Sequence, residues 1–149
     1  MPGLKVISLT EKKQMKDKSF ADSNILIYAH TKQDEKKRKI AQEILYSDLI
    51  IGNTQVINES INVFIKRFKI PLIEVQQIVD QIFIYLPVKI INSLTIQTGM
   101  KICSKYYYSY YDSLIIASAL QNECSVLYSE DLHHNQKIEK TLTIINPFI

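Results

Sequence analysis

Residues 20–29 read F-A-D-S-N-I-L-I-Y-A, a short apolar strand that ends at Asp22 and passes into a helical stretch from Asn24 to His30. A similar strand end occurs at residues 125–132, S-V-L-Y-S-E-D-L, where Asp131 follows the apolar residues. Short strands that alternate with helices are typical of an α/β fold with a parallel sheet. In such sheets ligands bind beyond the carboxyl ends of the strands, so both aspartates are candidates for chemistry.

The chain on either side of these strand ends continues the alternation. Thr54 and Pro71 stand where two of the helices would begin. The sequence therefore predicts a three-layer α/β/α fold around a central, mostly parallel sheet of four to five strands. Besides those two strands and the first helix, the predicted elements are helices at 34–46, 54–68, 71–85, 93–106 and 112–122 and strands at 49–52, 88–91 and 141–145.

The beginning of the chain differs in composition from the rest. Residues 1–18 carry five lysines and two acidic residues without helical or strand periodicity, and they account for the net charge of +3. We therefore predict a flexible extension at residues 1–18 and one domain at residues 19–149. Because that domain is electrically neutral overall, nucleic-acid binding has to be argued from local clusters of charge.

Other composition features exclude several classes of protein. No apolar stretch reaches the roughly 20 residues that a membrane span needs, and the start lacks the apolar region of a secretory signal. We expect a cytoplasmic protein without membrane contact. Cys103 and Cys124 form no disulfide framework or metal motif, and the adjacent His133 and His134 are expected to be loop residues.

Two further acidic residues lie on the apolar faces of predicted helices. From Glu59, steps of minus three and plus four reach Val56 and Val63, which places the carboxylate on the buried stripe. From Asp112, steps of three, four, seven and eight all reach apolar residues. Both carboxylates therefore point towards the interior, where a charge needs a partner.

Each acidic residue has an ordinary structural explanation. Asp22 and Asp112 could cap helices, Asp131 could occupy a turn, and Glu59 could pair with a buried base. Together, however, four such carboxylates without matching bases would repel one another unless a cation joined them. Hard oxygen ligands favour Mg²⁺ or Mn²⁺, and one or two such ions can activate water for attack on a phosphodiester.

The segments that carry these acids resemble the PIN domain. They are D-S-N-I-L-I-Y-A at 22–29, T-Q-V-I-N-E at 54–59, Y-Y-D-S-L-I-I-A-S-A-L at 110–120, L-Y-S-E-D-L at 127–132 and I-I-N-P-F at 144–148. The resemblance runs from about Phe20 to the end of the chain, in the right order. It implies a Mg²⁺- or Mn²⁺-dependent endonuclease of single-stranded RNA, commonly the toxin of a bacterial VapBC-type toxin–antitoxin pair. A cognate antitoxin and a homodimer are expected partners.

The resemblance also implies roles for individual residues. Asn24 and Ser129 match supporting polar positions, and Glu130 competes with its neighbour Asp131 for the role of fourth acid. Three metal ligands and one acid that completes the site directly or through water are implied: Asp22, Asp112 and Asp131 as ligands, and Glu59 as the completing acid.

The sequence departs from the family pattern at a few positions. Tyr111 stands before Asp112 where a close relative often has Trp, Ser113 replaces the usual Ala, and Asn135 replaces Gly at a turn that a left-handed residue can form. None of these changes removes an acid. The lysine-rich beginning has no counterpart in the family pattern.

Two local clusters are candidate RNA contacts. Tyr111 closes a run of tyrosines that could stack on unpaired bases, although packing in the core and loops is the favoured reading. Lys66, Arg67 and Lys69 could bind phosphates, although basic residues commonly stabilise the end of a helix in the same way.

Other functions are weighed on single residues. A receiver-type signalling domain needs a Lys after the last strand, and residues 141–149 contain none. A phosphatase of the haloacid dehalogenase kind needs D-x-D after the first strand, where Asn24 replaces the second Asp. A PIN-fold RNA-processing nuclease without an antitoxin and a non-catalytic RNA- or protein-binding PIN module stay open as alternatives.

Overall fold

The computed structural model describes residues 17–47 and 49–149. The flexible extension predicted for residues 1–18 lies outside this range except for its last two residues. Lys18 already belongs to the first strand, and its Nζ donates a hydrogen bond of 3.1 Å to the carbonyl of Asn122. The first strand therefore begins at Lys18.

Six strands and six helices form within the described ranges. The strands are β1 (Lys18–Ala21), β2 (Ile50–Asn53), β3 (Val88–Lys89), β4 (Cys124–Tyr128), β5 (Lys137–Ile138) and β6 (Leu142–Ile145). The helices are α1 (Ser23–Ala29), α2 (Glu35–Leu45), α3 (Thr54–Lys66), α4 (Leu72–Tyr85), α5 (Ser93–Tyr106) and α6 (Tyr110–Gln121). No helix in this part of the chain has the length and apolarity to cross a membrane.

All six strands belong to one sheet in the order β3-β2-β1-β4-β6-β5. Every neighbouring pair is parallel except β5 with β6, which confirms the predicted α/β fold with a mostly parallel sheet. The sheet has six strands, against the four to five that the sequence predicts. β5 escapes prediction because its two residues belong to no apolar run, whereas the two residues of β3 lie in the mostly apolar segment 88–91.

The position of β1 determines where a crevice opens. Strand β1 pairs with β2 on one side and with β4 on the other, so the strand order reverses at β1. A reversal of this kind separates the helices that follow the two strands and leaves a ligand crevice beyond their carboxyl ends. Asp22 follows β1 directly, and Ser129 follows β4.

Helix α6 forms the centre of the domain. Its residues 113–119 are all buried, so it is apolar on nearly every side. Gly99 lets α5 approach it closely, because a Cβ at this position would stand only 3.1 Å from Cδ2 of Leu114. This close packing fixes the start of α6, where Asp112 lies.

Helix α3 starts at the carboxyl end of β2. Asn53, rather than the predicted Thr54, is its N-cap, and the Asn53 side chain accepts a 2.9 Å hydrogen bond from the amide of Val56. An asparagine side chain at this position satisfies an amide that the first helical turn leaves unpaired. The cap directs α3 back along the sheet, with Glu59 in its second turn.

Candidate functional site

Asp22 is a buried carboxylate at the end of β1. Only 4% of its surface is exposed. One carboxylate oxygen, Oδ1, accepts a 2.7 Å hydrogen bond from the amide of Ser23, and the other, Oδ2, accepts a 2.7 Å hydrogen bond from Oγ of Ser129. Asp22 is therefore the N-cap of α1, as one of the structural alternatives predicts. Capping alone does not explain why this carboxylate is buried.

Burial raises the pKa of Asp22 from 3.8 to about 7. The hydrogen bonds from Ser129 and Ser23 lower the pKa, whereas the charges of Glu59 and Asp112 raise it further. These three carboxylates therefore lie close enough to interact electrostatically. A cation among them would relieve both the burial of the charge and the repulsion.

Glu59 reaches this region from α3. Its carboxylate is half-buried and accepts a 3.0 Å hydrogen bond from the Gln55 side-chain amide, one helical turn earlier. The alternative that Glu59 pairs with a buried base is not supported, because the ion pairs found in residues 17–47 and 49–149 leave it out.

Asp112 lies in the first turn of α6, two residues after the helix begins. Ser109 is the N-cap, and its Oγ accepts a 3.2 Å hydrogen bond from the Asp112 amide. The alternative that Asp112 caps the helix is therefore wrong, and its half-buried carboxylate is free of that role. A carboxylate here is favoured by the positive end of the helix dipole.

Asp131 is exposed on the loop after β4, and side-chain hydrogen bonds tie it to Asp22. Its Oδ2 accepts a 3.2 Å hydrogen bond from Nδ2 of Asn24. Its amide donates to Oγ of Ser129 at 3.2 Å, and the same hydroxyl donates to Asp22 at 2.7 Å. Asn24 also accepts a 3.3 Å hydrogen bond from the amide of Glu130. Ser129 thus connects the first acid to the fourth, and Asn24 holds the loop that carries the fourth.

The side chain of Glu130 turns away from this network. Its Oε1 stands 2.5 Å from Nζ of Lys37 on α2. Lys37 therefore neutralises Glu130, whereas Asp131 faces Asn24 and Ser129.

The four acids gather at one edge of the sheet, yet they do not form a closed coordination shell. Within residues 17–47 and 49–149, no three Asp, Glu, His or Cys side chains stand close enough together to hold a metal ion. The donor set itself fits, since carboxylate and amide oxygens are the ligands that Mg²⁺ and Mn²⁺ prefer.

The tyrosine run divides into packed and exposed rings. Tyr106 and Tyr108 pack against the core, as the favoured interpretation predicts, whereas Tyr107 is 90% exposed and Tyr111 is 60% exposed. Tyr111 therefore keeps a ring available for stacking next to Asp112.

The basic cluster on α3 lies apart from the acids. Lys66 is seven residues beyond Glu59, which corresponds to roughly 10 Å along a helix axis. Because α3 runs away from the carboxyl edge of the sheet, Lys66, Arg67 and Lys69 lie towards its opposite end. A direct phosphate contact at the acidic site is therefore a less favoured role for them.

Three contacts near the site are not predicted from the sequence. Asn53 caps α3, Lys37 binds Glu130, and Tyr108 accepts a 3.2 Å hydrogen bond from the amide of His133, on the loop that carries Asp131. The contacts of Lys37 and Tyr108 join distant segments, whereas the Asn53 cap is local and Asn is itself a common N-cap residue.

A parallel sheet with acidic side chains beyond its carboxyl ends defines a class of α/β proteins with ligand sites at that edge. A family model described as the PIN domain matches residues 19–139. The chain therefore belongs to the PIN domain family. No curated protein sequence gives a significant match to the chain.

Solved structures share this fold at low sequence identity. VapC20 of Mycobacterium tuberculosis, described as a sarcin–ricin loop cleaving toxin, superposes with a TM-score of 0.61 at 14% identity, over 76% of this chain and 89% of its own. A toxin–antitoxin complex from Klebsiella pneumoniae gives 0.65 at 14% identity, over 87% and 97%. VapBC2 from Rickettsia felis, bound to a promoter DNA fragment, gives 0.63 at 14% identity, over 85% and 96%. At this identity the likeness shows the fold alone.

Proposed function

We propose that this protein is a Mg²⁺- or Mn²⁺-dependent endoribonuclease that hydrolyses phosphodiester bonds of single-stranded RNA. The observation that carries the proposal is the buried carboxylate of Asp22, whose pKa is raised by burial and by the charges of Glu59 and Asp112. A purely structural carboxylate at this depth is normally paired with a base. Membership of the PIN family supports the same reaction class.

The residues of the site divide into holding and orienting groups. Asp22, Asp112 and Asp131 would hold the metal, and Glu59 would complete the site directly or through water. A bound divalent ion lowers the pKa of water and offsets the negative charge that develops on the phosphate. Ser23 and Ser129 fix the two oxygens of Asp22, so that the ligand does not have to be ordered when RNA binds.

The reaction needs no covalent intermediate on the protein. Water attacks the phosphorus atom, the bond from phosphorus to the leaving ribose oxygen breaks, and that oxygen takes up a proton. Half-buried Glu59, whose carboxylate is bound only by the amide of Gln55 among the described residues, would accept the proton that water releases.

We further propose that the protein is the toxin of a toxin–antitoxin pair and acts in the cytoplasm. The structural neighbours support this reading, because two of them are toxin–antitoxin complexes. Exposed apolar side chains on α4 offer surface to an antitoxin or to a second copy in a homodimer: Leu72, Ile73 and Ile84.

Cleavage of a single-stranded RNA tests the enzymatic proposal. The protein should cut with Mg²⁺ or Mn²⁺, lose activity in excess chelator and regain it when metal is restored. Asp22→Asn should be inactive, whereas the same change at Asp80, an exposed acid on α4, should leave the rate unchanged. Undiminished cleavage in chelator contradicts the mechanism, and RNA binding without cleavage by the metal-loaded protein favours a non-catalytic module.

Co-expression tests the toxin proposal. The neighbouring reading frame should encode a small DNA-binding protein that copurifies with this chain and suppresses its cleavage of RNA. Active protein whose neighbouring product neither binds nor inhibits it favours an RNA-processing nuclease without an antitoxin.

A further inference from the structure

Two adjacent carboxylates follow β4, and the structure gives them different surroundings. Glu130 is bound to Lys37, whereas Asp131 is bound to Asn24 and is next to Ser129. They lie next to each other in the bend after β4, so a change in its backbone would alter which of the two carboxylates faces Asn24 and Ser129. A contact elsewhere in the fold must therefore determine which carboxylate faces Asn24 and Ser129, next to Asp22.

Lys37 is held more firmly than a typical surface lysine. Its Nζ lies 2.5 Å from Glu130 and donates a 3.3 Å hydrogen bond to the hydroxyl of Tyr28. It also stands 4.9 Å from the centre of the Tyr28 ring and 5.6 Å from that of Phe148. Those two rings meet edge to face at 5.0 Å. The ammonium is therefore enclosed by a carboxylate and aromatic faces, which favour a cation.

The backbone between the two acids is fixed from the other side by Asn24. Its Oδ1 accepts from the amide of Glu130 at 3.3 Å, and its Nδ2 donates to the carboxylate of Asp131 at 3.2 Å. Asn24 thus holds the peptide unit while Lys37 holds the end of the Glu130 side chain. Together they define the orientation of the loop at Asp131.

We propose that Lys37 is a positioning residue for the fourth acid: its ion pair with Glu130 draws that carboxylate towards α2 and leaves Asp131 beside Asn24 and Ser129. Lys37 touches neither substrate nor metal in this role. It acts through Glu130, from a helix that contributes none of the four acids. The consequence for metal binding rests on the proposed function, whereas the consequence for the loop does not.

The sign of one effect separates positioning from simple electrostatics. Removing a positive charge near a cation site strengthens cation binding if charge alone matters. Positioning predicts the opposite result, because a released Glu130 frees the loop and misplaces Asp131. Lys37→Met keeps the apolar stem over the two rings and removes the charge together with the hydrogen bonds to Glu130 and Tyr28.

The test uses the full-length chain and a matched pair on another surface. Lys105 binds Glu139 at 3.1 Å in an exposed ion pair, so Lys105→Met is the control for loss of a lysine. The first measurement is amide hydrogen exchange in chelator. Exchange at Glu130 and Asp131 should quicken by about three- to tenfold in Lys37→Met, remain as in wild type in Lys105→Met, and be restored in Lys37→Arg. Unchanged exchange in Lys37→Met overturns the proposal.

The second measurement is the affinity for Mn²⁺ alone, by calorimetry. Lys37→Met and Glu130→Gln should each weaken binding by about three- to tenfold, and the double variant should bind no more weakly than either single one. If Lys37→Met binds Mn²⁺ more strongly than wild type, Lys37 acts through its charge alone, and the positioning proposal is overturned. Loss of binding in Glu130→Gln but not in Asp131→Asn overturns it by making Glu130 the ligand. If the wild-type protein does not bind Mn²⁺, the proposed function is refuted. The hydrogen-exchange measurement still decides whether Lys37 positions the loop.

Discussion

Replacing Asp22 by Asn should remove a pH-dependent loss of stability from the metal-free protein. Because burial raises the pKa of Asp22 from 3.8 to about 7, the folded protein keeps this proton after the unfolded chain has released it. Stability from this group is thus full below pH 3.8 and declines as pH rises through about 7. Ionised Asp22 without metal therefore weakens the fold at neutral and alkaline pH.

The magnitude follows from the same pKa. At about 1.36 kcal/mol per pKa unit, the full effect of Asp22 approaches roughly 4 kcal/mol. Between pH 5 and 8 it amounts to about 2–3 kcal/mol, after the titration of both states is included. Asparagine has no proton to lose in this range, and it caps a helix about as well as Asp. The Asp22→Asn variant should therefore lack this pH-dependent contribution to the free energy of unfolding.

Urea unfolding in chelator at pH 5 and at pH 8 measures the difference. From pH 5 to pH 8, the free energy of unfolding of wild type should fall by about 2–3 kcal/mol more than that of Asp22→Asn. The comparison with the variant is essential because His30 titrates in the same range with the opposite sign. Burial lowers its pKa from 6.5 to about 4, so it adds stability as pH rises through that interval. An identical pH dependence in wild type and Asp22→Asn would refute the reasoning that Asp22 carries a buried, unneutralised charge.

Three other substitutions give separate expectations. His30→Gln should lose about 1–2 kcal/mol less stability than wild type between pH 7 and pH 5, and an equal loss would show that burial does not depress the pKa of His30. Ser113→Ala should raise the free energy of unfolding by about 1 kcal/mol, because the buried Oγ of Ser113 has no partner among the described residues; destabilisation would reveal a buried water there. Asp112→Asn should melt no lower than wild type without metal, lose about a hundredfold or more in RNA cleavage and show a smaller stabilisation by Mg²⁺. Since Ser109 supplies the cap, retained cleavage and an unchanged Mg²⁺ effect would remove Asp112 from the site.

The sequence predicts the order of the elements well because most of them carry a strong local signal. Apolar periodicity identifies the helices, and an apolar run closed by a polar residue identifies each of the longer strands. The left-handed turn expected at Asn135 is confirmed by a φ of 68°. These features depend on neighbouring residues, which is why one sequence suffices to predict them.

Features that depend on distant or very short segments escape prediction. β5 has two residues, and the turn after it places Glu139 and Lys140 at positive φ without a glycine. The start of α6 is missed because Ser109 and Asp112 are both acceptable caps, and the local sequence does not decide between them. The Lys37–Glu130 pair joins residues 93 positions apart, a contact that no local pattern encodes.

For the candidate site, the sequence identifies residues but leaves their roles as predictions. The inward faces of Glu59 and Asp112 are predicted from helical periodicity, and both carboxylates act electrostatically on Asp22. The proposal that Asp131 rather than Glu130 is the fourth acid draws on the structure, because Lys37, which binds Glu130, belongs to another helix. How far the acids move when a cation binds depends on the balance of repulsion and coordination, which composition and spacing do not determine.

A crystal structure of the protein soaked in Mn²⁺, examined by anomalous scattering, tests the central claim most directly. An anomalous peak should lie among the carboxylates of Asp22, Asp112 and Asp131, with metal–oxygen distances of about 2.0–2.3 Å. Glu59 should stand within reach of the ion directly or through one water. The account would be contradicted if, at saturating Mn²⁺, no anomalous peak lay among these carboxylates. It would also be contradicted if the ion bound only at Glu130.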